Sequence, residues 1–244
     1  VKIATIIPPK KSKYFFTATD DKDRKMKFPI TGLLVFFALT LSAATVSGKC
    51  VTGNCVNGSG AFEYPSGGKY VGEFKNNYPN GRGELLYPDG SKYSGSFEDN
   101  ELQGKGLYTF PNGDTYEGDF VKSNRHGQGV LSLRDGKKYV GQFDNNQKQG
   151  HGVLTFPDGT VYDGEFVAGA AHGQGTLTSP NGSKYNGMFA NGLPNGQGAM
   201  SYADGSGYEG EWRDNVPNGQ GIYTYKDGKT KIRGLFRDGN YIRE

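Results

Sequence analysis

Four groups of residues in this chain have types and spacings that could do chemistry. Cys50 and Cys55 are its two cysteines. Thiols in a C-x4-C pair can close a small disulfide loop in an exported chain, or stay reduced at the start of a domain. A zinc site would need a second Cys pair or a His couplet, and acylation of Cys50 is undercut by Lys49, where a small residue is expected. The histidines are His126, His151 and His172. His126 and His172 lie 46 residues apart, two repeats of the period described below. In a regular strand array they would stand about 19 Å from each other, whereas ligands of one ion lie within ~2.0–2.2 Å of it. They read as exposed loop histidines, and no metal is expected. Glu73, Asp119, Glu165 and Glu211 also recur at multiples of 23 residues. Paired carboxylates could do acid–base work at about 5–9.5 Å in a cleft; on an open polar face they form a solvated row. Neither a G-x-S-x-G elbow nor a phosphate loop occurs, so no enzyme and no cofactor is expected. The fourth group is aromatic. Tyr116, Phe120, Tyr139, Phe143, Tyr162 and Phe166 either pack on one another or dock an extended peptide or amphipathic helix.

The elements that place these groups follow from a 23-residue period, held at Tyr70, Tyr93, Tyr116, Tyr139, Tyr162, Tyr185 and Tyr208. Forty glycines in 244 residues far exceed the usual share of about 7%, and the fixed period assigns them to a repeat array. Counting each Tyr as position 1, Gly falls at positions 3, 12, 14 and 21, and Phe or Trp at 5. Positions 1, 3 and 5 share one strand face, as do 12, 14, 16 and 18, while the alternate positions are polar. Tyr87-Pro88-Asp89-Gly90 and Phe110-Pro111-Asn112-Gly113 are turns, with Pro presetting φ and Gly taking the left-handed place.

Each unit therefore reads as a β-hairpin, and polar connectors such as Lys75–Asn80 and Arg213–Asn218 join successive hairpins. The fold class expected is all-β: an elongated single-layer antiparallel sheet of about eight stacked hairpins, on the order of 75 Å long, with an N-terminal hydrophobic helix. Glycines such as Gly95, Gly104, Gly106, Gly118, Gly127 and Gly129, at positions 3, 12 and 14, are expected to leave troughs for rings of neighbouring strands. Four apolar side chains per unit, each worth roughly 1.5–3 kcal/mol when buried, offset the ordering entropy only when units stack.

The flanks differ from the array. Residues 1–25 share nothing with it and read as an upstream mis-start or a leader. From Met26, Lys27 and the apolar run Ile30–Leu41 form a signal peptide over 26–48 with small residues for cleavage, or an uncleaved anchor. Residues 49–57 are a Cys-containing linker, 58–236 the repeat array, and 237–244 a cap. The cap's Arg237, Asp238, Arg243 and Glu244 discourage edge pairing. Residues 1–49 hold nine Lys/Arg against three Asp, and the remaining 195 residues hold 19 against 22 Asp/Glu. The array lacks the basic stripe of a nucleic-acid binder, and simple attraction to anionic lipid loses its support.

Y-E-G-E-W at Tyr208–Trp212 and N-G-Q-G at Asn218–Gly221 resemble the signature of the MORN (membrane occupation and recognition nexus) repeat family. Seven units, Tyr70–Lys92 through Tyr208–Thr230, fit it; Met188 at position 4 and Ser179 at position 18 are small departures. The resemblance implies a non-enzymatic module of protein contact, membrane proximity or dimerisation, since such arrays elsewhere accompany lipid kinases, methyltransferases and membrane-junction proteins. The function expected is a bacterial, exported scaffold presenting an aromatic face to a protein partner or to itself. Binding of carbohydrate or cell envelope, and of a membrane surface, are the alternatives.

Overall fold

The computed structural model describes residues 48–242. The leader 1–25, the hydrophobic segment up to residue 47, and Arg243 and Glu244 lie outside the described residues. Among the described residues there are eighteen β-strands, and no helix long and apolar enough to cross a membrane.

The strands fall in two compact units. The first runs to Arg134 and includes Asp144–Asn146; the second comprises Asp135–Phe143 and Gln147 onward. The first holds β1 (Lys49–Gly53), β2 (Gly58–Glu63), β3 (Lys69–Lys75), β4 (Tyr78–Leu86), β5 (Lys92–Glu98), β6 (Glu101–Thr109), β7 (Thr115–Val121) and β8 (Asn124–Ser132). The second holds β9 (Lys138–Asp144), β10 (Gln147–Thr155), β11 (Val161–Val167), β12 (Ala170–Thr178), β13 (Lys184–Ala190), β14 (Leu193–Ser201), β15 (Gly207–Arg213), β16 (Val216–Thr224), β17 (Lys231–Arg237) and β18 (Asn240–Ile242). Within the first unit β1 to β8 pair antiparallel in chain order. Within the second β10 to β18 do the same, and β9 bonds to β10.

Two stretches outside the expected hairpins are strands: β1 lies in the 49–57 linker and β18 in the cap. The connectors between hairpins are also tighter than expected. Asn76-Asn77 and Asp214-Asn215 alone make the turns, with φ of 50° and 69° at the first pair and 48° and 68° at the second. A two-residue loop with both residues left-handed matches the strand twist, and Asn and Asp tolerate that region. Tyr78-Pro79-Asn80 and Val216-Pro217-Asn218 consequently belong to the strands.

Register explains the repeated glycines. In the first unit Gly60, Gly72, Gly83, Gly95, Gly106, Gly118 and Gly129 face one another across successive strands. In the second unit Gly152 through Gly221 continue likewise to Gly234. Each unit thus carries a furrow without side chains.

Candidate functional site

The Tyr of each pentad lies along this furrow. A Cβ built at Gly118 would stand 2.6 Å from the Tyr116 hydroxyl oxygen, and one at Gly175 2.6 Å from Cε2 of Tyr162; only glycine admits the ring. Position 3 (Gly95, Gly118) and position 14 (Gly106, Gly129) serve in this way, with the ring coming from the same repeat. Position 12 serves another purpose. Gly104 and Gly127 have φ of 65° and 55° and sit where the pairing slips, between Gly95/Ser96 and between Gly118/Asp119. They are bulge residues in the left-handed region and form no trough for a ring.

Each pentad ring stands edge-on to the next. Tyr93 meets Phe97 and Phe120, both at 5.1 Å, and Tyr162 meets Phe166 at 5.2 Å and Phe189 at 4.8 Å. Such edge-to-face pairs are worth about 0.5–1.5 kcal/mol beyond their buried area. The phenols find partners as well: Tyr116, Tyr139 and Tyr162 donate to the carbonyls of Asp119, Gln142 and Glu165, each at 2.9 Å. Burial pushes these hydroxyls well up from the usual tyrosine range. Of the six rings singled out for docking, Tyr116 and Tyr162 are 0% exposed, Phe120, Tyr139 and Phe166 1%, and Phe143 3%. They are core, and their faces are occupied by one another and by the glycine furrow.

The carboxylate column has a structural duty that its exposed face did not suggest. At the bulge an amide is left without a strand partner. Glu73 accepts from Arg82 N at 3.0 Å, Asp119 from Gln128 N at 3.0 Å, and Glu211 from Gln220 N at 3.2 Å. At Glu73, Asp119 and Glu211 the tyrosine hydroxyl and the acidic side chain thereby satisfy the two sides of one irregularity.

The other groups separate. His126 faces Asp144 at 3.2 Å and His151 faces Asp163 at 3.0 Å, all well exposed. Among the described residues no three His, Cys, Asp or Glu gather as metal ligands. Cys50 and Cys55 form a disulfide with Cα atoms 6.0 Å apart.

One feature escaped the sequence reading, and a second was legible there only as one face of a strand. Position 10 of the repeat faces the pentad Phe or Trp, as Pro79 faces Phe74 and Leu102 faces Phe97. In the middle repeats this buried slot holds cations. Arg125 is 7% and Lys148 8% exposed; the Arg125 guanidinium lies 5.7 Å from the Tyr116 ring centroid and the Lys148 ammonium 5.6 Å from that of Tyr139. Aligning the repeats would have exposed the break in the series Pro79, Leu102, Arg125, Lys148, Ala171, Pro194, Pro217. The second feature is a set of half-buried rings at the turn end of the ring-bearing face in each unit: Tyr64 and Tyr87 in the first, and Phe156, Tyr202 and Tyr225 in the second. In the first unit it abuts two buried rings, Tyr108, 6% exposed and 5.9 Å from Tyr87, and Phe110, 8% exposed and 4.8 Å from Tyr108. Burial, aided by the Asp89 carboxylate, raises the phenols of Tyr87 and Tyr108.

Comparison with known proteins places the repeats. The model of the MORN repeat matches residues 70–92, 93–115, 116–138, 139–161, 162–184, 185–207 and 208–230. Curated proteins gave no match. Among solved structures, a point mutant of the TCP10 domain of Danio rerio CPAP is 13% identical, with a TM-score of 0.41, covering 73% of this chain and 90% of that one. The SAS-4 TCP domain of Drosophila melanogaster, in complex with a proline-rich motif of Ana2, is 17% identical with a TM-score of 0.33, covering 82% and 97%. With seven repeats in unbroken succession over residues 70–230, the chain belongs to the MORN repeat family.

Proposed function

We propose that this chain is a non-catalytic interaction module that holds protein partners on the half-buried aromatic rings of its units. The observation that carries the reading is the accessibility of these rings. Tyr64, Tyr87, Phe156, Tyr202 and Tyr225 keep part of each ring accessible, whereas the pentad rings are consumed by the core. Tyrosine and other aromatics are the anchors that protein interfaces favour, combining a large apolar face with a polar tip. The absence of catalysis is supported by the duties found for the acidic column and the histidines. Export through the 26–48 segment is part of the proposal, and the Cys50–Cys55 bridge supports an oxidising destination.

A photo-crosslinking residue at Tyr87 or Tyr202, with Val140 on the opposite face as control, tests the reading. The full chain would be exposed in parallel to cell extract, anionic vesicles and isolated envelope glycan. Crosslinks to protein from Tyr87 and Tyr202 and not from Val140 are expected. Retention on vesicles alone, lost at high salt, or on glycan alone would overturn it.

A further inference from the structure

We propose that the partner segment seated on the first unit's row is proline-rich, in polyproline II conformation, and carries Arg or Lys beside its prolines. The inference rests on the row being a protein-binding site and names its occupant. It begins from spacing. Tyr64 and Tyr87 stand one 23-residue period apart, just beyond β2 and β4; Phe110, the next member, is 8% exposed and closes the row from below. Neighbouring strands lie about 4.8 Å apart, so the rings should recur at roughly 9.6 Å.

Three regular conformations can be laid along such a row. Polyproline II rises about 3.1 Å per residue with three residues per turn, so the same face returns every ~9.3 Å, a mismatch of about 0.3 Å per ring. A β-strand advances about 10 Å in three residues, but its side chains alternate, and the third points away. A helix returns a similar face after seven residues, about 10.5 Å, and drifts by roughly 1 Å per ring. Only the first keeps one side on successive rings without bending. It also has no internal hydrogen bonds to give up and arrives with little entropy left to lose.

Charge selects further. Asp89 lies two residues beyond Tyr87, and the Ser91 hydroxyl that accepts from Tyr108 OH at 2.9 Å donates to the Asp89 carboxylate, which places a carboxylate beside the row. One of its oxygens accepts from Ser91 N at 2.9 Å and Ser91 Oγ at 2.6 Å, and a carboxylate retains further acceptor sites. The nearby lysines do not neutralise it: Lys69 and Lys92 pair with Glu63 and Glu84 at 2.8 Å, and strand alternation puts them on the face opposite the rings. The row therefore offers phenol faces for pyrrolidine rings and an anionic edge for a guanidinium or ammonium.

The test is fluorescence anisotropy on the full chain with a labelled peptide of about twelve residues, four polyproline II turns, repeating Pro-Pro-Arg. An Ala-Ala-Arg peptide matches its charge, and a Pro-Pro-Gln peptide matches its backbone. The Pro-Pro-Arg peptide should bind roughly tenfold more tightly than either control, and Tyr64→Ala or Tyr87→Ala should weaken it by roughly tenfold. Asp89→Asn, which keeps an acceptor for the turn, should weaken Pro-Pro-Arg and leave Pro-Pro-Gln unchanged; circular dichroism checks that each variant is folded. Equal binding of Pro-Pro-Arg and Ala-Ala-Arg, or binding indifferent to Tyr64, Tyr87 and Asp89, would overturn the proposal. If no proline peptide binds while Tyr87 still crosslinks to a protein, this inference fails and the interaction reading survives.

Discussion

Gly175→Ala places one methyl group beneath the Tyr162 ring. A Cβ there would lie 2.6 Å from the ring's Cε2 and its hydroxyl oxygen and 2.8 Å from Cζ. The ring has little room to yield. Phe166 and Phe189 hold its sides at 5.2 and 4.8 Å, and the hydroxyl is tied to Glu165 O at 2.9 Å. If the ring leaves, burial worth about 1.5–3 kcal/mol is lost. With it go two edge contacts of about 0.5–1.5 kcal/mol each, and the loss of the part-buried hydrogen bond to Glu165 O costs about 0.5–1.5 kcal/mol more. The low ends together reach ~3 kcal/mol, so a destabilisation of about 3–5 kcal/mol is expected.

Gly182→Ala provides the contrast. Nothing lies within 4 Å of its added Cβ, but its φ is +89°, so only left-handed strain of about 1–2 kcal/mol is incurred. Urea unfolding followed by circular dichroism and tyrosine fluorescence should therefore rank Gly175→Ala well below Gly182→Ala. The cost of Gly175→Ala should also shrink when Tyr162→Leu removes the ring, a coupling that a double-mutant cycle isolates. Equal destabilisation by the two glycine substitutions, or an undiminished cost without the ring, would refute ring nesting.

Asp119→Ala removes the acceptor for Gln128 N and should cost about 1–2 kcal/mol, with faster hydrogen exchange at that amide. Asp119→Asn should cost under ~0.5 kcal/mol, because the exposed ion pair it loses to Lys105 is weak; equal losses would refute the bulge role. Burial holds the Tyr93 and Tyr208 phenols at about 12, against about 10 in an unfolded chain. A raised value means the stabilisation is complete below pH ~10 and disappears as pH climbs through the folded value. Urea midpoints should be flat to that point and fall beyond it, with phenolate absorbance appearing as structure is lost; ordinary titration of every tyrosine in an intact fold would contradict this. Lys148→Leu sets desolvation of an ammonium against a cation–π contact worth about 0.5–2 kcal/mol. Since Leu102 fills the same slot two repeats away, the change should be neutral or stabilising by about 1 kcal/mol. A loss above ~3 kcal/mol in the melting equilibrium would show that the cation is held for a purpose.

The period, the two strands of each hairpin, the turns at Tyr87-Pro88-Asp89-Gly90 and its relatives, and the family were all legible in the sequence. Each is written in residues close together in the chain: alternation sets the faces, and Pro, Asp and Gly set the turn locally. Pairing decided the rest. Gly104 and Gly106 look alike in a G-x-G pair, yet one is the left-handed residue of a bulge and the other the floor under Tyr93, because register places different atoms against them. The pentad rings looked available because strand alternation names a face without saying how much of it neighbours cover. Tyr116 and Phe120 disappear from solvent only when glycines two and thirteen residues after each Tyr come together across strands. Tyr64 and Tyr87, at the turn end, stay half open, and Arg125 and Lys148, written like solvent residues, are drawn among rings. Burial belongs to contacts distant along the chain, and these form only in the folded sheet.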